Sequence, residues 1–280
     1  MSFNKILAYF KISRPINFLI TFSSIIVASI ICIEGDYSIT KILLAAFSGG
    51  LTASAGNIIN DYFDINIDRI NRPQRVLPKG KLNLNEALFF YIVLTILSFL
   101  ISFLISINAF LIVFVSSILL FFYSYRVKRT LLLGNFLVAF LTGLAFIYGG
   151  IAVDNIRSAI VPAFFALCIN FIREIVKDME DIEGDKSEGI NTFPLIYGTS
   201  KAKKVILIST IILILLTSYP FVMSLYKIEY FIFVMVIVNP ILVYVIKSIF
   251  ENDSTKNLNK LSILLKLDMV FGLAAIYLGK

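Results

Sequence analysis

The sequence predicts an all-α polytopic membrane protein, with nine transmembrane helices in one bundle built from two parallel-related halves. Three observations lead to this fold class: an apolar composition, nine apolar runs of spanning length, and an acidic pattern that occurs twice. Hydrophobic residues make up 59% of the 280-residue chain and charged residues only 15%. The mean hydropathy is +0.90, which is too high for a soluble domain with a polar surface.

The nine apolar runs follow one another with short polar connections, and each is long enough to cross a bilayer. They lie at 16–33, 39–60, 86–106, 108–125, 131–152, 157–174, 204–226, 229–247 and 260–278. Lys5, Lys11 and Arg14 before the first run resemble the basic start of a signal peptide. That run is long and lacks a small-residue cleavage site, so we expect a retained helix.

The basic residues indicate how the spans are oriented. When the nine spans alternate in direction, 20 of the 25 lysines and arginines lie on one side or at the helix ends facing it. By the positive-inside rule this side is cytoplasmic, which predicts a multi-pass protein of the cell membrane. The segments on this side are 1–15, 61–85, 126–130, 175–203 and 248–259. This bias explains the net charge of +7, so we infer no nucleic-acid partner from the charge. We also infer no obligate protein partner.

An acidic pattern, D-x-x-D-x-x-x-D, occurs twice with an offset of 117 residues. On a helix its positions fall at about 0°, 300° and 340°, so each triplet is expected to line one narrow face. Carboxylates crowded in this way repel one another and require cations. We interpret the triplets as a divalent-metal site, because Mg²⁺ prefers oxygen ligands and completes its shell with phosphate oxygens. The residues are Asp61, Asp64 and Asp68 in the first row, and Asp178, Asp181 and Asp185 in the second.

The same offset relates Asn57 to Glu174, which favours two halves repeated in parallel within a single domain over 1–280. The two longest cytoplasmic connections, about 69–85 and 186–203, directly follow the acidic rows. We expect them to form caps over the site, although turns that only join spans are the alternative.

The chemistry left to this chain is restricted, because it contains no histidine. Two acidic rows facing each other would hold two Mg²⁺ ions around a diphosphate. Six aspartates, two ions and a diphosphate sum to about −5, so nearby cations are needed. The chain is a membrane protein without a nucleotide-binding loop, which indicates a lipid diphosphate as the substrate. A polyprenyl diphosphate fits best. The candidate cations are Arg69, Arg72, Arg75, Lys79, Lys128, Lys177 and Lys186.

Several motifs resemble one known family. N-D-Y-F-D-I-N-I-D-R-I-N-R-P at 60–73 and R-V-L-P-K-G at 75–80 are similar to the first signature of the UbiA superfamily of intramembrane prenyltransferases. D-M-E-D-I-E-G-D at 178–185 resembles its second aspartate motif, and Y-S-Y-R-V-K-R at 123–129 resembles its tyrosine-lysine motif. The likeness spans the chain and includes R-P-I-N at 14–17.

The resemblance implies a metal and diphosphate site formed by Asn60 and the six aspartates, with Asp64, Asp68, Asp181 and Asp185 as the catalytic carboxylates. It also implies that Arg72, Lys79, Tyr123 and Lys128 lie near the diphosphate, and Arg14 and Asn17 near the mouth of the pocket. Other interpretations stay open for three of these residues. Arg14 and Lys128 are also typical cytoplasmic anchors at helix ends, and Tyr123 is also typical of an interfacial aromatic.

The amino-acid sequence around both aspartate motifs is most similar to the archaeal lipid branch of this superfamily. That branch ether-links a geranylgeranyl group from geranylgeranyl diphosphate to the hydroxyl of geranylgeranylglyceryl phosphate. Such an alcohol acceptor needs little base strength, so the absence of histidine is tolerable. Lysines 186, 201, 203 and 204 are candidates for the acceptor phosphate, or plain cytoplasmic anchors. The alternatives are an aromatic prenyltransferase acting on hydroxybenzoate or a quinone precursor, a cation-coupled transporter, and a scaffold protein.

Overall fold

The computed structural model describes residues 3–280, without the side chains at positions 71, 187 and 188. Within this part of the chain, nine helices are long and apolar enough to cross a membrane, which confirms the predicted number and order. The spans are Pro15–Cys32, Ile39–Phe63, Leu84–Ile105, Ile107–Tyr125, Leu133–Ala152, Ile156–Glu180, Thr199–Val222, Ile228–Glu251 and Thr255–Gly279.

The helices are numbered along the chain. They are α1 Phe3–Ile12, α2 Pro15–Cys32, α3 Ile39–Phe63, α4 Ile65–Asn71, α5 Leu84–Phe103, α6 Ile107–Tyr125, α7 Leu133–Ala152, α8 Ile156–Glu180, α9 Ile182–Glu188, α10 Phe193–Tyr197, α11 Thr199–Val222, α12 Ile228–Phe233, α13 Asn239–Glu251 and α14 Thr255–Gly279. A 3₁₀ turn at Val127–Arg129 follows α6, and a π-helical turn at Val234–Val238 joins α12 to α13. The π turn precedes Pro240, which has no N–H to continue a regular helix.

Several spans extend beyond the apolar runs that predict them, and two of these extensions contain aspartates of the rows. The second run ends at position 60 and the sixth at 174, but α3 continues to Phe63 and α8 to Glu180. Hydropathy measures how favourably a segment enters the bilayer, whereas a helix ends where its backbone hydrogen bonding changes. The first aspartate of each row therefore belongs to a spanning helix.

The chain divides into two compact units, and the first comprises the residues up to Val127 together with Leu144–Ala159. Its centre is α3, which packs against α2, α5 and α6. Glycines let the neighbouring helices approach closely. A Cβ at Gly50 would lie 2.6 Å from the ring of Phe18 on α2, and one at Gly56 would lie 3.0 Å from Leu120 on α6.

Part of the first predicted cap segment belongs to the core of this unit. Leu77 and Leu82 are buried in one cluster with Ala8 and Ile12 of α1. The segment then ends in a capping box, in which Asn83 and Glu86 exchange hydrogen bonds at the start of α5. These contacts hold the segment against the helices of this unit, and its role as a cap stays a prediction.

The second unit comprises Lys128–Gly143 and Ile160–Lys280. Here α14 packs against α12, the π turn and α13, while α13 also packs against α11. The amide of Asn259 at the start of α14 donates to the carboxylate of Glu180 at the end of α8, at 2.7 Å. The second predicted cap segment contains the short helix α10. The single domain over 1–280 stays a prediction.

The halves repeat in their helix boundaries as well as in their aspartates. α3 and α8 each have 25 residues, and both ends differ by 117 positions. α4 and α9 each have seven residues and follow the same offset. A single residue separates the two helices in each pair, and this residue is the middle aspartate of the row.

Candidate metal and diphosphate site

The prediction that each acidic row lies on one unbroken helix is wrong. The helix is interrupted at Asp64, with φ −91° and ψ 1°, and at Asp181, with φ −100° and ψ 13°. A regular helix has ψ near −42°. Aspartate side chains compete for nearby backbone groups, which makes aspartate a weak residue for a helix interior. The interruption re-aims the second and third carboxylates of each row relative to the first.

In the first row, two carboxylates are buried and paired with arginine. Asp61 is 6% exposed and Asp68 is 3% exposed. Arg14 Nη2 donates to Asp61 Oδ1 at 2.5 Å. Arg75 Nη1 donates to the same oxygen at 3.2 Å and to Asp68 Oδ2 at 2.6 Å. These pairs provide the cationic compensation that buried carboxylates require.

Arg75 was among the cations that the charge count required, but the resemblance did not assign it to the site. Arg72 and Lys79, which the resemblance did assign, are exposed on the segment after α4. Their contact with a diphosphate stays a prediction. Asn60 Nδ2 donates to Asp64 Oδ2 at 3.0 Å, so the predicted Asn60 orients the carboxylate at the helix break.

Arg14 holds an unusual backbone conformation beside the row. It precedes Pro15 at the start of α2 and adopts the left-handed region, with φ 50° and ψ 73°. This region costs a residue with a side chain about 1–2 kcal/mol. The ion pair with Asp61 offsets this cost.

A pocket of about 400 Å³ in the first unit adjoins this row. It brings together four residues that the sequence predicted for the site: Arg14, Asn17, Asn60 and Tyr123. Asn57 also lines it and accepts a hydrogen bond from Asn17 Nδ2 at 3.2 Å. Asn57 Nδ2 is buried, and no hydrogen bond to it is found within the described residues. The sequence indicated Asn57 only through its repeat partner Glu174.

The polar residues of this pocket lie near the ends of α2, α3 and α6. One or two turns deeper, its lining becomes apolar, with Ile20, Ala53 and Leu120. Such a lining suits a molecule with a polar head and a hydrocarbon chain.

The second row has a neutral donor in place of an arginine. Asn135 Nδ2 of α7 donates to Asp178 Oδ2 at 2.7 Å. Asn135 is 7% exposed, and nothing in the sequence connected it to Asp178. Asp181 is exposed at the helix break, and Asp185 of α9 is half-buried. Lys128 is half-buried in the 3₁₀ turn. In both halves, a donor from the preceding span or its N-cap holds the first aspartate of the row.

Among the described residues, no three carboxylate or cysteine side chains approach closely enough to enclose one metal ion. Mg²⁺ takes only one or two protein carboxylates and fills the rest of its shell with water and phosphate oxygens. The donors present are hard oxygens, and the position shared by Asp61 and Asp68 already attracts a cation. The residues therefore fit Mg²⁺ delivered together with a phosphorylated substrate.

Comparison with known proteins agrees with this site. The UbiA prenyltransferase family matches residues 21–268. The chain is 36% identical to digeranylgeranylglyceryl phosphate synthase of Methanosphaera stadtmanae over 271 residues, which is 97% of this chain and 98% of the relative.

Two solved structures have the same fold. A digeranylgeranylglyceryl phosphate synthase structure superposes with a TM-score of 0.87 at 33% identity, covering 98% of both chains. A UbiA homologue from Archaeoglobus fulgidus bound to GPP and Mg²⁺ gives 0.71 at 21% identity, covering 96% of this chain and 99% of that one. The family match over most of the chain confirms the resemblance predicted from the motifs: the chain belongs to the UbiA prenyltransferase family of intramembrane enzymes.

Proposed function

We propose that this enzyme transfers a geranylgeranyl group from geranylgeranyl diphosphate to the hydroxyl of geranylgeranylglyceryl phosphate. The product carries the second ether bond of an archaeal membrane lipid. The observation that carries the proposal is the pocket that joins a polar head region to an apolar lining. Two of its lining residues, Arg14 and Asn60, donate hydrogen bonds to Asp61 and Asp64 of the first row. The extent and identity of the match to digeranylgeranylglyceryl phosphate synthase favour this acceptor over an aromatic one.

In this proposal the aspartates of both acidic rows hold two Mg²⁺ ions together with the diphosphate. When bound, Mg²⁺ neutralises the charge that develops on the leaving diphosphate. Asp64, Asp68, Asp181 and Asp185 are the catalytic carboxylates, and Asp61 and Asp178 complete the rows. The structure of a homologue with GPP and Mg²⁺ supports the choice of metal and donor.

The neighbouring polar residues bind the diphosphate. Asn60 orients Asp64, and Tyr123 lines the same pocket. Arg72, Lys79 and Lys128 supply the positive charge that a diphosphate needs, with bidentate geometry in the case of arginine. Arg14 and Asn17 lie at the mouth of the pocket, where Arg14 also pairs with Asp61 and holds its carboxylate in place.

The apolar part of the pocket has two roles in the reaction. It accommodates the first isoprene units of the donor chain. It also excludes water, which would otherwise react with the allylic carbocation and form an alcohol. The acceptor hydroxyl loses its proton as the new C–O bond forms, so no strong base is required. This agrees with a chain that has no histidine.

The proposed orientation puts both rows on the cytoplasmic side of the membrane. The distribution of lysine and arginine supports this orientation, because 20 of the 25 basic residues lie on that side or at the helix ends facing it. The proposal includes the donor, a lipid acceptor and the bilayer, and no protein partner.

The test is transfer by purified protein of labelled geranylgeranyl diphosphate to geranylgeranylglyceryl phosphate or to 4-hydroxybenzoate, with Mg²⁺ or EDTA. We expect an ether product that depends on Mg²⁺ and little aromatic product. Aromatic product alone would overturn the acceptor and keep the enzyme class. A lack of diphosphate release with either acceptor would overturn the proposal as a whole.

A further inference from the structure

A second charged cluster lies in the second unit, and the proposed donor site does not use it. Arg173 Nη1 donates to Glu174 Oε1 at 2.7 Å, and Lys177 Nζ lies 3.3 Å from Glu174 Oε2. Lys266 of the last span interacts electrostatically with Arg173 and Lys177, which repel it, and with Glu174, which attracts it. These four residues form the α8–α14 cluster.

The helix register explains how Lys266 reaches this cluster. The Asn259–Glu180 hydrogen bond of 2.7 Å aligns the start of α14 with the end of α8. α8 is the sixth span and α14 is the ninth. Because the spans alternate in direction, these two helices run antiparallel. Seven residues along each helix from that contact lead to Lys266 on α14 and Arg173 on α8, about 10 Å deeper in the membrane. The two cations therefore lie at one level, inside the spanning part of both helices.

The charges of the α8–α14 cluster do not balance. Within the cluster three cations share one carboxylate, an excess of two positive charges, which falls to one when the carboxylate of Asp178 beside Lys177 is counted. Asp178 follows Lys177 directly, but its carboxylate takes its hydrogen bond from Asn135. Arg173 is 13% exposed in its side chain, and its Nε–H is buried without a hydrogen bond among the described residues. A buried unpaired donor and an unbalanced charge are both costly in a membrane.

From this imbalance we infer that the α8–α14 cluster binds the phosphate monoester of the lipid acceptor, through Arg173, Lys177 and Lys266. This inference rests on the proposed function for the identity of the acceptor. A phosphate monoester carries a charge of about −1.5 to −2 and three acceptor oxygens. It therefore balances the excess charge and offers a partner to the Nε–H of Arg173.

The depth of the cluster suits the acceptor better than the donor. The diphosphate belongs beside the carboxylate row, which starts at Asp178 and continues toward the helix end and α9. Arg173 lies five residues before Asp178, about 7 Å deeper along α8. The reacting carbon of the donor lies below its diphosphate, and the acceptor keeps its hydroxyl and phosphate on one glycerol, a few bonds apart. An anion site below the second row is therefore at a depth that suits the acceptor phosphate.

The test compares Lys266→Gln with the wild type, because Lys266 is exposed in the structure and its replacement leaves the helix packing intact. Lys260→Gln is the matched control, since Lys260 is an exposed lysine on the same helix. Binding of geranylgeranylglyceryl phosphate and of phosphate-free geranylgeranylglycerol is measured in EDTA without donor. The KM values of acceptor and donor are measured in Mg²⁺.

We expect Lys266→Gln to weaken binding of the phosphorylated lipid, and to raise its KM, by roughly tenfold or more, the effect of one charge-assisted hydrogen bond. Binding of the phosphate-free lipid and the KM of the donor should not change. Lys260→Gln should behave like the wild type. Arg173→Gln, checked for folding by its thermal transition, should show the same selective loss.

Several results would overturn the inference. An equal loss for both lipids would indicate a structural role, a raised donor KM would assign the cluster to the diphosphate, and no change would make Lys266 an ordinary snorkelling lysine. Binding is measured without turnover, so the two proposals fail separately. A wild type that binds the phosphorylated lipid through Lys266 but forms no ether would retain the anion site and overturn only the proposed reaction.

Discussion

Arg75 Nη1 lies 2.6 Å from Asp68 Oδ2, and this contact ties the segment after α4 to the third aspartate of the first row. The same nitrogen lies 3.2 Å from Asp61 Oδ1. One guanidinium therefore compensates two buried carboxylates at a position where the sequence required a cation. The site carries its own countercharge before any metal or diphosphate arrives.

Replacement of Arg75 tests this arrangement. Arg75→Gln should lower the free energy of unfolding in EDTA by about 3–5 kcal/mol, the cost of leaving buried carboxylates without their partner. Millimolar Mg²⁺ should recover part of the loss, because the ion supplies the missing charge. Thermal unfolding in detergent, with and without Mg²⁺, measures both effects. Arg69→Gln is the control, since Arg69 is exposed on α4. Equal stability of the two variants in EDTA would contradict the role of Arg75.

The aspartates at the two helix breaks should be essential to the reaction. Asp64→Ala or Asp181→Ala should reduce transfer by at least about 100-fold, the scale for removing one group that stabilises developing charge. The helical content and the thermal transition should stay close to wild type. Product formation from labelled geranylgeranyl diphosphate measures the effect. Asp36→Asn, in the exposed loop before α3, serves as the control. Substantial activity in both alanine variants would contradict a site that is formed by both rows.

Asn57 should matter for substrate and little for folding. Its Nδ2 is buried and makes no hydrogen bond among the described residues, so it is free to donate to a ligand. Asn57→Ala should lower kcat/KM about tenfold, consistent with the loss of one hydrogen bond to a charged group. Its thermal transition should be unchanged or slightly raised, because an unsatisfied donor disappears. A parallel fall in stability and activity would instead indicate a packing role.

Asn135 should act as a positioning residue for the second row. It donates a hydrogen bond of 2.7 Å to Asp178. Hydrogen bonds of this type fix the orientation of a metal ligand. Asn135→Ala should raise the Mg²⁺ concentration for half-maximal activity about tenfold or more. The matched control is Asn170→Ala, because Asn170 is also buried and donates to Thr142 at 3.0 Å, deeper between the same two helices. If both variants shift the Mg²⁺ requirement equally, the effect is general loosening of α7 against α8.

Hydropathy and residue spacing predicted much of this protein correctly. All nine spans appear in the predicted order, because insertion of a segment depends on a sum of local transfer free energies over about 20 residues. The two acidic rows were also readable, since their spacing and their offset of 117 are properties of the sequence alone. The family and its prenyl-transfer chemistry followed from these motifs and their order.

The contacts inside the site depend on structure that local sequence patterns do not contain. The helix breaks at Asp64 and Asp181, each a single residue wide, change where the carboxylates point. The partner of Asp178 is Asn135, 43 positions away, and only the rotation of α7 against α8 brings them together.

The same contrast holds for the cations. Charge counting showed that arginines and lysines are needed beside the rows, but it did not distinguish Arg75 from Arg72 and Lys79. The path of the loop after α4 selects Arg75, and the antiparallel register of α8 and α14 sets Lys266 level with Arg173. The sequence alone determined the spans, the acidic rows and the type of chemistry, because these follow from local composition and spacing. Only the tertiary structure decided which charges meet, because that depends on helix rotation, register and loop paths over long sequence separations.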